Sequence, residues 1–172
     1  MLYCYIENGQ LVEGPKRLPN VWRNVSGLNL LSDASLKAKG WLPYIDVKPA
    51  YDKDTQYLTQ TRTIGEDDVM VNYTVNDYTA EEMATRLLSA QTARKTAIRK
   101  ECETRILSVY PLWMQVNGAN GLDLPEDVDP MLDDIADMRE ESDRCEDLVD
   151  AAATLQAVRD VTPTWPIEAE VI

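Results

Sequence analysis

Between Val128 and Ala152, the residues Val128, Met131, Ile135, Met138, Ser142, Cys145, Val149 and Ala152 recur at alternating spacings of 3 and 4. A strand turns its side chains over every second residue, so this rhythm fits only a helix with one narrow seam. Leu148, Leu155 and Val158 widen the seam near its end, and Pro163 and Pro166 stop the helix. Such a stripe is covered by one partner helix, and the chain supplies a candidate upstream.

That candidate opens on Tyr78-Thr79-Ala80-Glu81-Glu82-Met83. Thr79 can accept from the amide of Glu82, and the Glu82 carboxylate can reach back to the Thr79 amide. Tyr78 can pack on Met83, so a capping box carries a hydrophobic staple. The helix is expected to run to about Val109, before Pro111. Its apolar positions are Met83, Leu87, Ile98, Cys102, Ile106 and Val109. The stretch from Ser89 to Ala97 holds only small or polar residues, and is either exposed or packed closely through Ala90, Ala93 and Ala97. Residues from about 110 to 125, with Asn117-Gly118 and Asn120-Gly121, read as a linker.

Charge is distributed to match. Of the net −13, residues 1–78 carry −2, residues 79–122 carry +2 and residues 123–172 carry −13. Folding the helices back on each other about the linker sets Arg105 near Pro130, Ile98 near Asp137 and Arg94 near Glu141. The basic run then faces the acidic run, which favours one register although each exposed pair contributes little. Acids outnumber bases, so Asp133, Asp134, Asp137, Glu140, Glu141 and Asp147 are left as an acidic face for a basic partner. The same surface repels phosphates and disfavours nucleic acid.

The first 78 residues read as a small β-rich head. Leu2–Ile6 and Leu11–Glu13 flank a tight Asn8-Gly9 turn. A helical turn over residues 33–40 is capped by Ser32 or Asp33 and stopped by Gly40. A second hairpin joins Thr55–Ile64 to Val69–Val75 across Gly65–Asp68, with strict period two in the later strand. The expected organisation is therefore α+β: a head over 1–78, a long two-helix antiparallel hairpin or coiled-coil arm over 79–162, and a tail over 163–172 in which Trp165 docks or forms an edge strand. The interface of the arm, within one chain or between subunits, is assigned to Met83, Leu87, Ile98, Ile106, Val128, Met131, Ile135, Met138, Cys145, Val149 and Ala152.

Catalysis has little to draw on. Histidine is absent, which removes the usual general base and the commonest metal ligand. No Gly-rich phosphate loop or nucleophile elbow is present. The three cysteines, Cys4, Cys102 and Cys145, lie far apart and read as reduced, packed thiols. Asp123, Glu126, Asp127, Asp129, Asp133, Asp134 and Asp137 lack calcium-loop spacing. No cofactor or metal is expected. Trp22, Trp41, Trp113 and Trp165 read as core anchors rather than a sugar platform. The N-terminal residues carry neither a signal-peptide pattern nor a membrane span.

The head also carries a family pattern. ENGQLVEGP, then LPNVWRNVSGLNLLSDASLKAKGWLP, then YDKDTQYLTQ, followed by the Tyr73–Glu82 helix start, resembles the N-terminal module of small proteins from the tail-fibre region of tailed bacteriophages and prophages. IRKECETRILSVYPLWMQVN is similar to a helix of such proteins, so the resemblance covers most of residues 1–117. It implies a non-enzymatic tail component near the fibre or baseplate, sited in the virion tail, or a fibre-assembly chaperone in the host cytoplasm. It implies other tail proteins as partners, with self-association, and a trimer by analogy with three-fold fibres. It supplies no catalytic residues. The reading from another class is a carboxylate-dependent glycan hydrolase.

Overall fold

The computed structural model describes residues 1–122 and 125–166, the side chains of 125–127 excepted. Asp123, Leu124 and the tail from 167 to 172 lie outside the described residues, as do the side chains of Glu126 and Asp127. The chain divides into two compact units, Met1–Tyr78 and Thr79–Ile172.

The first unit is built on a five-stranded, curled sheet. Its strands are β1 (Leu2–Glu7), β2 (Gln10–Lys16), β5 (Trp41–Ile45), β6 (Gln56–Ile64) and β7 (Val69–Asp77), in the order β2-β1-β5-β7-β6. Two short strands, β3 (Val21–Trp22) and β4 (Val25–Ser26), pair separately, ahead of a 3-10 turn and the short helix α1 (Asp33–Lys37). The β1–β2 turn places Asn8 and Gly9 at φ 53° and 75°, the twist that two-residue hairpins need. Ser32 caps α1, and Gly40 reverses the chain at φ 81°. A side chain at Gly40 would strike the Ile6 carbonyl at 2.5 Å, so only glycine lets β5 begin beside β1.

Two apolar clusters hold this sheet. Tyr5, Leu28, Leu36 and Trp41 form one, with Trp22 packed against them. Trp22 and Trp41 meet edge to face at 5.5 Å, a favoured aromatic arrangement. Cys4, Leu42 and Val69 form the other. The alternation in β7 decides its orientation: Val69 and Val71 are buried, while Met70 and Asn72 face out.

The second unit corrects the expected fold class. The two-helix antiparallel hairpin or coiled-coil arm is not what forms. Among the described residues there are four helices: α2 (Ala80–Val109), α3 (Leu112–Ala119), α4 (Pro125–Ala151) and α5 (Leu155–Asp160). The segment read as a linker is instead helical over Leu112–Ala119, with Pro111 at its N-cap. Gly118 lets the two helices approach closely there. A methyl group at that position would sit 3.0 Å from Met131 Cε and 3.3 Å from Val128 Cγ2. The second helix also ends early. Thr154 caps a separate helix by accepting from the Ala157 amide at 3.1 Å, and α5 packs against the middle of α2.

The added helices shift the register. The chain reverses after α3, so Lys95 pairs with Asp150 and Arg99 with Glu146. Arg94 does not meet Glu141; it donates to the Val161 carbonyl. Arg105 lies on Glu101 and over Trp165 rather than beside Pro130. Of the small residues in mid-α2, Ala90 packs inward while Ala93 and Ala97 stay exposed. The Gln91 amide caps the end of α4 by donating to the Val149 and Ala152 carbonyls at 3.2 Å each, groups that a helix end leaves unsatisfied.

Helix α2 begins at the Thr79 cap. The Thr79 hydroxyl accepts from the Glu82 amide at 3.2 Å, and Glu82 accepts from the Thr79 amide at 2.7 Å. Replacing Thr79 by Ala is expected to destabilise the helical unit by about 1 kcal/mol, read as a lowered midpoint in denaturant unfolding followed by circular dichroism. An unchanged midpoint would show that the box does not set the start of α2.

Candidate functional site: the surface of the helical unit

The α4 stripe is buried along its length. Met131, Ile135, Met138, Ser142, Cys145 and Val149 are inside, with Val128 and Ala152 partly so. On α2, Ile98, Cys102 and Ile106 are buried, while Met83 and Leu87 are half-buried. These residues divide into two clusters. Cys102 and Ile106 join Met131, Ile135 and Met138 in one. Ile98 joins Cys145, Val149 and Val158 in the other. Trp165 packs against both and donates from Nε1 to Glu101 at 2.7 Å. The tail residue is therefore part of the helical core and not an edge strand. Tyr78, assigned to the staple, packs its ring on Tyr57 at 5.0 Å within the first unit.

The acidic face is smaller than the sequence suggests. Asp134 accepts from the Tyr110 hydroxyl, which raises the Tyr110 pKa to about 12. Glu141 accepts from Arg144 at 2.6 and 2.7 Å, and from the Thr164 amide. Asp133, Asp137, Glu140 and Asp147 remain exposed on α4. Their spacing of 4, 3 and 7 keeps them on one side of the helix.

A groove of about 390 Å³ lies between α2 and α4, with Gln115 of α3 at its edge. Cys102, Ile106 and Leu107 line its apolar part, and Arg99, Arg139, Glu103, Asp143 and Glu146 its charged part. The cysteines are poor nucleophiles: burial raises the pKa of Cys102 and Cys145 alike, which keeps the thiols protonated at neutral pH. Among the described residues, no group of His, Cys, Asp and Glu is placed to hold a metal ion. A glycan hydrolase needs one carboxyl kept protonated as general acid. Among the described residues, the displaced carboxyls move the other way. Tyr5 and Arg23 lower Glu7, the Thr79 cap lowers Glu82, and Arg144 lowers Glu141 to about 2.

The feature that the sequence reading missed is Trp113. The sequence places it in the core, yet it is 63% exposed, beside Leu112 at 65%. With Val116 one turn on, they form an apolar face of α3, a helix that buries none of its own residues. The reason is geometric: α3 approaches α4 through Gly118 and packs Met114 on the α2–α4 core, which leaves Leu112, Trp113 and Val116 on the other side. A signal was available, because Leu112, Trp113 and Val116 share a helical face once the segment is read as helix.

Among the described residues, no helix is long and apolar enough to cross a membrane. Comparison with protein-family models, curated proteins and solved structures finds no match to this chain.

The Glu141 carboxyl sets a pH dependence. Its folded pKa, about 2, lies below its ordinary 4.5, so its contribution is complete above pH 4.5 and fades as pH falls toward 2. Glu141→Gln is expected to lower stability at pH 7 and to flatten the loss of stability between pH 4.5 and 2. Denaturant midpoints measured across that range check this; parallel curves for both proteins would exclude the role.

Proposed function

We propose that this chain is a non-enzymatic bacteriophage tail component of the fibre or baseplate region, acting through protein–protein contacts. The observation that carries the reading is the outward face of α3, where Leu112, Trp113 and Val116 stand in solvent. A cluster of large apolar side chains in solvent marks a contact site, and tryptophan is enriched among the residues that anchor one. The ordered sequence words of the head support the assignment to the tail-fibre region. The partner is another tail protein, and the protein resides in the virion tail.

A second reading is a fibre-assembly chaperone that acts in the host cytoplasm and leaves. The exposed carboxylates Asp133, Asp137, Glu140 and Asp147 favour it. A contact made through surface charge is weakened by salt and released readily.

Quantitative protein analysis of purified virions separates the two. Stoichiometric presence is expected, and absence would reject the virion role in favour of the chaperone. Trp113→Ala is expected to weaken capture of the fibre or baseplate protein by about 30-fold, the scale of a binding hot spot of ~2 kcal/mol. The unfolding midpoint should stay the same, because the indole is mostly exposed. Undiminished capture would remove α3 from the contact.

A further inference from the structure

The two edges of the sheet are built differently. Edge strand β2 carries Pro15 and pairs with β1 through register shifts near Tyr3, Tyr5 and Ile6. Irregularity of this kind guards an edge against further pairing. Edge strand β6 has no such guard. Its nine residues pair with β7 in unbroken register from Gln56↔Asp77 to Ile64↔Val69. It contains no proline or lysine, and residues 59 to 64 are all exposed. Its one charge, Arg62, lies over the Tyr44 ring at 5.7 Å.

The hydrogen bonds fix which groups face outward. The Tyr78 amide donates to the Thr55 carbonyl, and the Gly65 amide to the Asp68 carbonyl. Antiparallel bonding alternates, so the odd-numbered residues of β6 face β7 and the even-numbered residues face away. The Gln56 amide is already taken by the Asp52 carbonyl at 2.7 Å. Leu58, Gln60, Arg62 and Ile64 remain with outward backbone groups.

We infer that β6 is a self-association edge, pairing antiparallel with β6 of a second copy about a two-fold axis at Thr61. The strand is self-complementary in this register. Leu58 lies across from Ile64 of the other copy, and Gln60 across from Arg62. All four outward residues exchange both bonds, and the occupied Gln56 amide is not required. On the other side of the sheet, Thr61 meets its own symmetry mate and Thr59 meets Thr63. Threonine pairs and apolar pairs are favourable across strands, and no like charges stand opposite one another. The first unit nets only −2, so its own charge opposes pairing little. A second copy fits better than a foreign strand because one sequence satisfies both sides. The inference is independent of the tail assignment, and it specifies two copies rather than three.

Thr61 is exposed and gives the test. In the full-length chain, sedimentation should show two copies. Thr61→Lys and Thr61→Glu should each weaken self-association about tenfold or more, since each sets like charges across the axis. An equimolar mixture of the two variants should restore it. As a check needing no variant, the amides of Leu58, Gln60, Arg62 and Ile64 should gain protection from hydrogen exchange as the wild-type concentration rises. A monomer, a three-copy assembly, or variants that associate like wild type would overturn the proposal. So would a mixture no tighter than its parts, or outward amides that exchange freely in the associated protein.

Discussion

Burial of the α4 stripe against α2 is the interaction on which the helical unit depends. Met138, Cys145 and Val149 are fully enclosed; Cys102 and Ile106 of α2 cluster with the first, and Ile98 with the other two. At ~1.5–3 kcal/mol for each fully buried side chain, this seam outweighs any exposed ion pair beside it. Lys95–Asp150 and Arg99–Glu146 therefore report the register more than they create it. Two helices alone nevertheless do not close the seam. Val158 of α5 and the Trp165 ring complete it, and Gln91 and Arg94 satisfy the carbonyls exposed where α4 and α5 end.

What was legible in the sequence was local. The Thr79–Glu82 box needs only four residues, and the 3–4 rhythm of α4 needs only its own turn geometry. The Val69/Val71 alternation marks which side of β7 is buried. What was not legible depended on contacts distant in sequence. The parallel pairing of β5 with β7, Tyr44 against Val69, leaves no signature in either strand. Asn117-Gly118 and Asn120-Gly121 resemble helix breakers, yet Gly118 is where α3 closes on Met131 and Val128. Missing α3 displaced the whole helix register. It also hid the face of Trp113, because an indole in a linker has no partner pattern to place it. The end of α4 was obscured because Leu155 and Val158 keep the apolar spacing while Thr154 starts a new helix.

The two units handle exposed bonding capacity in different ways. In the sheet, surplus backbone groups lie along β6, where any complement must itself be extended chain. In the helices, the backbone is internally satisfied, so what remains for a partner is side-chain chemistry: the apolar face of α3 and the carboxylates of α4. Contacts of the first kind are set by register and are insensitive to salt. Contacts of the second kind depend on shape and ionic strength.

Helix α3 holds its place with little of its own. None of its eight residues is fully buried: Met114 packs in part against the α2–α4 core, and Gly118 closes on α4. Isolated helices of that length are unstable in water, so α3 opens at a lower free-energy cost than its long neighbours. A protein that covers Leu112 and Trp113 would thus do two things in one event: bury apolar surface and hold a helical turn closed. Its measured affinity would include the work of ordering that turn, and any change that shifts the helix–coil balance of residues 112–119 would tune binding without touching the partner.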